Sequence, residues 1–298
     1  MKVLHAAVLV LPALVLVSGC TRTDRSKRGA GADGRQVIQN KGSDTLVNVA
    51  QAWAEAYRKK KPEVAIAVSG GGSGTGISAM INGTVDLANS SREMKTSEVE
   101  AAKKNGVEAV EHTVGFDAVA IYVHKNNPIE SITIAQLAAI YGEGGQAETW
   151  SDVGVTVPGA KDNKIIRVSR QNNSGTYVYF RRAILSKTGE YKLGSLDLHG
   201  SKDVVDLVEK TPGAIGYSGL AYKTDHVKMV PVIGKEGAPV TPSPQTAVDG
   251  SYPIARPLLM YTGGEPQGAV KAYLEWVLSD EGQRIIQDKG YAPVRALQ

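Results

Sequence analysis

From Val37 onward the chain alternates short apolar runs with stretches in which apolar residues recur every three or four positions. Runs bounded by Gly, Asn or Pro predict buried strands, and the wider spacing predicts helices with one buried face, so the pattern is that of an α/β protein. Val37-Ile38-Gln39 is a first strand, followed by a helix with Leu46, Val49, Ala50, Trp53 and Tyr57 on one face. Lys59, Lys60 and Lys61 occupy its last turn, where positive charge suits the helix dipole, and Pro62 stops it. Val64 to Ser69 and Val85 to Ser90 are the next two strands, separated by a short helix that carries Ile77, Met80 and Ile81 and ends at Asn82-Gly83. Ser97 with Glu100 predicts a capping box for the following helix, which ends at Asn105-Gly106.

Val114 to Val123 (VGFDAVAIYV) is too apolar for a surface strand, and His124 to Pro128 is a turn. A second α/β region follows, with a helix capped by Thr133 and Gln136, a strand over Ile165 to Ser169, a helix from Tyr177 to Leu185, and Ser201 to Lys210. Ala214 to Ser218 is another buried strand. Pro231 to Pro253 carries no long helix and predicts an extended return path. Ile254 to Tyr261 is a strand, and Pro266 to Ile286 predicts one closing helix that buries Val270, Tyr273, Leu274, Val277 and Leu278. No internal repeat is visible.

The polar positions between these elements are as patterned as the apolar ones. Four strands end in loops rich in hydrogen-bond donors: Lys41 to Thr45, Gly70 to Gly76, Ser91 to Met94, and Arg170 to Thr176. In open α/β sheets ligands sit beyond the carboxyl ends of strands, so these loops are expected to converge. A loop leading into a helix presents unpaired N–H groups, and with the Ser174 and Thr176 hydroxyls and the Arg170 guanidinium beside them it suits a tetrahedral oxyanion. The same residues also suit a plain polar turn in which Ser174 caps a helix.

The first residues belong to neither α/β region. Met1-Lys2 begin a cationic start, Val3 to Val17 form an apolar core, and Ser18-Gly19-Cys20 follow, which is the pattern of a secretory signal. Cys20 is the one cysteine of the chain, which excludes an internal disulfide and a cysteine-based metal site. Its position resembles the bacterial lipobox, so Cys20 is expected to be lipidated and to tether the protein to a membrane surface. The expected organisation is a signal peptide over residues 1–19, the lipidated cysteine and a disordered tether over 20–36, lobe I from 37–118 plus 250–298, and lobe II from 119–249. The net charge of +4 is modest, and no basic stripe interleaved with aromatics points to nucleic acid.

Taken together, Lys41-Gly42-Ser43-Asp44-Thr45, Ser73-Gly74-Thr75-Gly76, Val85 to Arg92, Arg170 with Ser174-Gly175-Thr176, and Ala214-Ile215-Gly216-Tyr217 resemble the phosphate-binding protein family of bacterial high-affinity phosphate ABC transporters. The resemblance spans nearly everything after the tether. It implies a two-lobed type II periplasmic-binding-protein fold with a two-stranded hinge, expected near Gly115 to Ala120 and Ser251 to Pro257. It implies an anion held by Ser43, Asp44 and Thr45, chiefly through backbone N–H groups and the Thr45 hydroxyl, by Ser73, and by Arg170, Ser174, Gly175 and Thr176. In the family an aspartate that accepts the ligand's proton follows the serine after the third strand. Here Ser91 holds that place and Arg92 follows it, as in a shorter branch of the family. Arg92 would add a second guanidinium or be a surface arginine at a helix start, and the first is expected because the dipole at a helix N-terminus repels a merely structural cation. Asp117 or Glu93 would supply the missing acceptor, or Asp117 would instead orient Arg92 or Arg170.

The resemblance further implies a monomer that needs no cofactor or metal, is anchored outside the cytoplasm at the cell surface or in the periplasm, and works with permease and ATPase subunits. An enzyme is the main rival. Gly74 to Ala79 fits a loose G-x-G-x-x-A pattern after a strand, but an exported protein has no nicotinamide pool, and the solitary histidines, His112, His124, His199 and His226 among them, lack metal-ligand spacing. The same fold holding sulfate, molybdate or tungstate is the alternative.

Overall fold

The computed structural model describes residues 35–185, 188–235 and 237–297, so the signal, Cys20 and most of the tether lie outside the described residues. β1 (Gln36–Gly42) leads to α1 (Val47–Lys60), which buries Val49, Ala50, Trp53 and Tyr57 as its spacing requires. β2 (Val64–Ser69), α2 (Ser73–Ile81), β3 (Leu87–Ser90) and α3 (Thr96–Lys104) follow. β1 pairs in parallel with β2 on one side and β3 on the other, so all three strands point their carboxyl ends the same way.

The cap of α3 differs from expectation. Its third residue is Glu98, and the Glu98 carboxylate accepts the Lys95 N–H at 2.8 Å, so the helix starts before the Ser97–Glu100 pair could act. Glu98 is already fixed there by Arg92, which sets where the helix begins.

The apolar run from Val114 lies within a longer strand, β4 (Ala109–His124), which has 16 residues. Then come β5 (Ile132–Thr133), α4 (Ile134–Tyr141), β6 (Ile166–Arg170) and α5 (Gly175–Leu185). The Thr133–Gln136 capping box forms as predicted, the Thr133 hydroxyl accepting the Gln136 N–H at 3.0 Å. β7 (Leu196–Leu198), α6 (Ser201–Lys210), β8 (Ala214–Gly219) and β9 (Val227–Val230) continue the second region. β10 (Val232–Ile233), β11 (Pro239–Val240) and the short α7 (Pro244–Val248) make up the return path. β12 (Ala255–Gly263) follows, and the chain closes with α8 (Gly268–Val277) and α9 (Asp280–Asp288). The single closing helix is thus broken in two. The Ser279 hydroxyl donates to the Trp276 carbonyl at 2.6 Å and accepts the Gly282 N–H, ending one helix and capping the next.

The main sheet runs β2-β1-β3-β12-β4-β8-β6-β7, with β9 also on β4. β12 lies antiparallel to both β3 and the first part of β4, whereas Val119 to Val123 of β4 pair with β8. One strand therefore serves both halves of the molecule. The buried apolar residues separate accordingly: Ile38, Trp53, Leu87, Val114, Leu258 and Tyr273 pack together in one half, and Val119, Ile121, Trp150, Phe180, Tyr217 and Tyr252 in the other. The result is a two-lobed α/β fold whose lobes are joined through β4 and β12.

Candidate anion-binding site

The carboxyl ends of β1, β2 and β3 form one wall of the space between the lobes. At the end of β1, Gly42 has φ of 144° and passes so close to β3 that a Cβ there would lie 2.2 Å from the Asn89 carbonyl oxygen. That approach lets the Ser43 N–H donate to the Asn89 carbonyl at 2.9 Å. The Ser43 amide is thereby engaged within lobe I. The next two residues, Asp44 and Thr45, carry N–H groups that reach no protein acceptor among the described residues. After β2, Gly71 and Gly72 turn the chain with positive φ, and α2 begins on Ser73. The Ser73 hydroxyl accepts the Ser91 N–H at 3.1 Å and lies 3.4 Å from the Ser91 hydroxyl. The loops after β2 and β3 thus bring two serine side chains together.

The opposite wall is the loop from β6 into α5. Ser174 accepts the Tyr177 N–H on its side chain, which caps the helix as the plain reading of this loop supposes. Capping leaves donors over, because the N–H groups of Gly175 and Thr176, the first two of α5, reach no protein acceptor among the described residues. A Cβ on Gly175 would sit 2.2 Å from the Ser73 hydroxyl and 2.5 Å from that of Ser91. The Thr45 and Thr176 hydroxyls lie 3.1 Å apart. Thr45, Ser73, Ser91, Ser174 and Thr176 are all buried. Four of these hydroxyls, paired as Ser73 with Ser91 and Thr45 with Thr176, thus gather beside the α5 N-terminus that Ser174 caps, and the walls touch there: the Gly74 N–H donates to the Asn173 carbonyl at 3.0 Å, and the Asn173 amide donates to the Gly71 carbonyl at 3.1 Å.

Three buried arginines surround these hydroxyls, and each is matched by a carboxylate. Arg170 donates to Asp44 across the lobes at 2.9 Å, to the Ser201 hydroxyl at 3.0 Å, and to the carbonyls of Leu198 and His199. Burial pulls its pKa down, and Asp44 opposes that shift. The Asp44 carbonyl also receives the Tyr222 hydroxyl at 2.6 Å, so Asp44 is a bridge between lobes as well as a source of N–H groups.

Arg92 is turned away from the hydroxyls. It forms a bidentate pair with Glu98, both contacts at 2.7 Å, and donates to the Glu93 carbonyl at 2.8 Å. Its guanidinium thereby fixes the start of α3 and donates to none of these hydroxyls, and the Glu93 side chain is exposed. Burial acts to raise the Glu98 pKa, but the Arg92 hydrogen bonds and the Lys95 N–H outweigh it and hold the carboxyl below its ordinary value. Stability from this pair is therefore full above the unfolded-state pKa of about 4.3 and is lost as pH falls through the lower folded-state value. Glu98→Gln should cost about 1–3 kcal/mol in urea unfolding at pH 7, and the gap from the unsubstituted protein should be smaller at pH 3. An equal gap at both pH values would contradict this assignment.

Asp117 orients neither Arg92 nor Arg170. Its partner is Arg256, which lies directly opposite it in the β12–β4 register, and both side chains are fully buried. Oδ2 accepts from Arg256 Nη2 at 2.7 Å and Nε at 3.0 Å, while Oδ1 accepts the Leu220 N–H at 3.0 Å. Burial pushes the Asp117 carboxyl up, and Arg256 and the Leu220 N–H pull against it. Arg256 was not singled out from sequence. The available signal was a lone arginine in one apolar run and a lone aspartate in the other. Among the described residues, no group of three or more His, Cys, Asp or Glu side chains is placed to hold a metal.

Residues 28–281 match the family model described as the PBP superfamily domain. The chain is 36% identical over 282 residues to the phosphate-binding protein PstS of Pseudomonas aeruginosa, covering 91% of this chain and 86% of that one. The chain belongs to the PstS family. The chain is also 34% identical over 274 residues to protein SphX of Synechococcus elongatus, covering 88% of this chain and 79% of that one. A crystal structure of a putative phosphate ABC transporter substrate-binding protein with bound phosphate, from Clostridium perfringens, superposes with a TM-score of 0.77 at 30% identity, covering 87% of this chain and all of that one. An ABC-type phosphate transport receptor from Vibrio cholerae gives a TM-score of 0.68 at 27% identity over the same share of this chain and the whole of its own.

Proposed function

We propose that this PstS-family protein captures inorganic phosphate between its lobes outside the cytoplasm and delivers it to the permease of an ABC importer. The observation that carries this reading is the meeting of the α5 N-terminus with buried hydroxyls from both lobes. A tetrahedral anion has acceptors in every direction, and the open N–H groups of Asp44, Thr45, Gly175 and Thr176 with the hydroxyls of Thr45, Ser73, Ser91, Ser174 and Thr176 supply donors from both sides. A ligand that bridges the two walls stabilises the closed form over the open one, which is how capture becomes a signal to the permease.

In this reading Arg170 and Asp44 lock the walls together, Asp117 holds the hinge, and Arg92 shapes the loop that presents Ser91. The protein is a receptor and not an enzyme, in keeping with a family of solute-binding proteins. The pattern ending in Cys20 supports a lipid anchor at the bacterial cell membrane, with a single copy carrying a whole site.

Calorimetric titration of the purified protein, stripped of ligand, should show one phosphate bound per chain. No heat and no competition with labelled phosphate would refute the assignment.

A further inference from the structure

Of the three arginines around the site, Arg170 has its donors directed elsewhere, and so have the two terminal nitrogens of Arg92, whose buried Nε has no partner among the described residues. Arg92 is held by Glu98 and the Glu93 carbonyl, and Arg170 by Asp44, Ser201 and two carbonyls. Arg256 is the arginine whose donors reach the hydroxyl cluster itself. Its Nη2 lies 3.2 Å from the Thr45 hydroxyl of one wall and 3.1 Å from the Thr176 hydroxyl of the other, and its Nη1 donates to the Ser91 carbonyl at 3.1 Å. One guanidinium thus touches both walls and the loop after β3.

We propose that Arg256, on the hinge strand β12, supplies the positive charge of the anion site and orients the Thr45 and Thr176 hydroxyls, with Asp117 as the residue that positions it. This rests on the phosphate reading above. The chemistry of a hydroxyl explains the orienting role: it has one proton to give and two lone pairs to offer. Asp117 takes one Nη2 hydrogen, and the other lies between the two threonine oxygens and occupies a lone pair of each. The protons are thereby turned away from the guanidinium: one hydroxyl donates to its threonine neighbour and the other is left to point into the space between the lobes.

The surroundings of Arg256 hold it for this purpose. Asp117 takes two of its N–H groups, the Tyr179 ring of α5 lies 5.7 Å from its guanidinium carbon, and the Tyr179 hydroxyl donates to the neighbouring Ala255 carbonyl. Asp117 in turn has both oxygens engaged, on Arg256 and on the Leu220 N–H. It is therefore a positioning residue, and the acceptor for a ligand proton falls to the serine and threonine hydroxyls. A buried ion pair adds little to stability relative to well-packed apolar side chains, so the pair's place at the junction of both walls points to a role in binding.

The test compares phosphate titrations and melting curves of the full-length protein, the Arg256→Met/Asp117→Leu double variant, and Arg256→Lys. The double variant removes both charges together, so it should melt near the unsubstituted protein yet bind phosphate about 100-fold or more weakly. Arg256→Lys keeps the charge opposite Asp117 but replaces the fork by a single point, and should restore part of the affinity, leaving a loss of about tenfold. A folded double variant that binds phosphate as tightly as the unsubstituted protein would overturn the proposal. If the double variant does not fold, Arg256→Lys decides the matter, because unchanged affinity in that variant also overturns it. Failure of the unsubstituted protein to bind phosphate is a separate outcome, and it refutes the phosphate reading instead.

Discussion

Gly175→Ala should weaken phosphate binding by about 100-fold or more, a loss near 3 kcal/mol, while leaving thermal stability in the absence of ligand almost unchanged. Gly175 opens α5 with φ outside the left-handed region, so alanine fits its backbone and is intrinsically the better helix former. What alanine does not fit is the opposite wall. Its Cβ would stand 2.2 Å from the Ser73 hydroxyl, 2.5 Å from that of Ser91 and 3.0 Å from the Ser73 Cβ. Serine is too short to swing aside, and the Ser73 hydroxyl is also tied to the Ser91 N–H. The added methyl group therefore acts only when the lobes meet, which separates closure from folding. Calorimetry and small-angle scattering check this together: with phosphate present, the variant should stay as extended as the ligand-free protein. Affinity within threefold of the unsubstituted protein would show that the walls do not need this approach.

Asp117→Ala should be the most destabilising single change at the site. It leaves Arg256 charged, buried and without its carboxylate, a situation that costs about 3–5 kcal/mol. For a chain of this size that corresponds to a fall in melting temperature of roughly 10 °C. The surface pair Lys60–Glu281 makes the contrast, because its side chains are about half exposed, at 53% and 49%. Lys60→Ala should cost less than about 1 kcal/mol. Urea unfolding of both variants measures the difference, and equal losses would mean that the Asp117–Arg256 pair is no better buried than a surface contact.

The elements near the site were legible because their patterns are local. The alternation of apolar runs and helical spacing located β1, α1, β2 and β3, and the donor-rich loops stood out at the ends of those strands. The partners of the charged residues were not local. Arg170 meets Asp44 across 126 positions of sequence and Arg256 meets Asp117 across 139, so only the closing of one lobe on the other and the register of β12 on β4 pair them. Arg92 illustrates the opposite case. Its partner Glu98 is six residues away, but the pairing depends on where α3 starts, and a plausible cap at Ser97 concealed it. The break between α8 and α9 turned on one hydroxyl, since the apolar spacing continues across Ser279 without a change of phase. Periodicity locates faces, but single polar atoms decide where helices stop.

β4 also has a mechanical consequence. Because one unbroken run of backbone from Ala109 to His124 serves both halves of the main sheet, the halves of the molecule cannot slide past each other without tearing its ladder of hydrogen bonds. A change of twist in the two-stranded ribbon is the deformation left to them, and the irregularity in register at Leu258 and Leu259 is where that ribbon is least regular. Opening and closing then amount to rotation about a single axis, like a torsion bar. On the phosphate reading, each closure would return Thr176 to Thr45 along the same arc, so the backbone sets where the donors meet around the ligand.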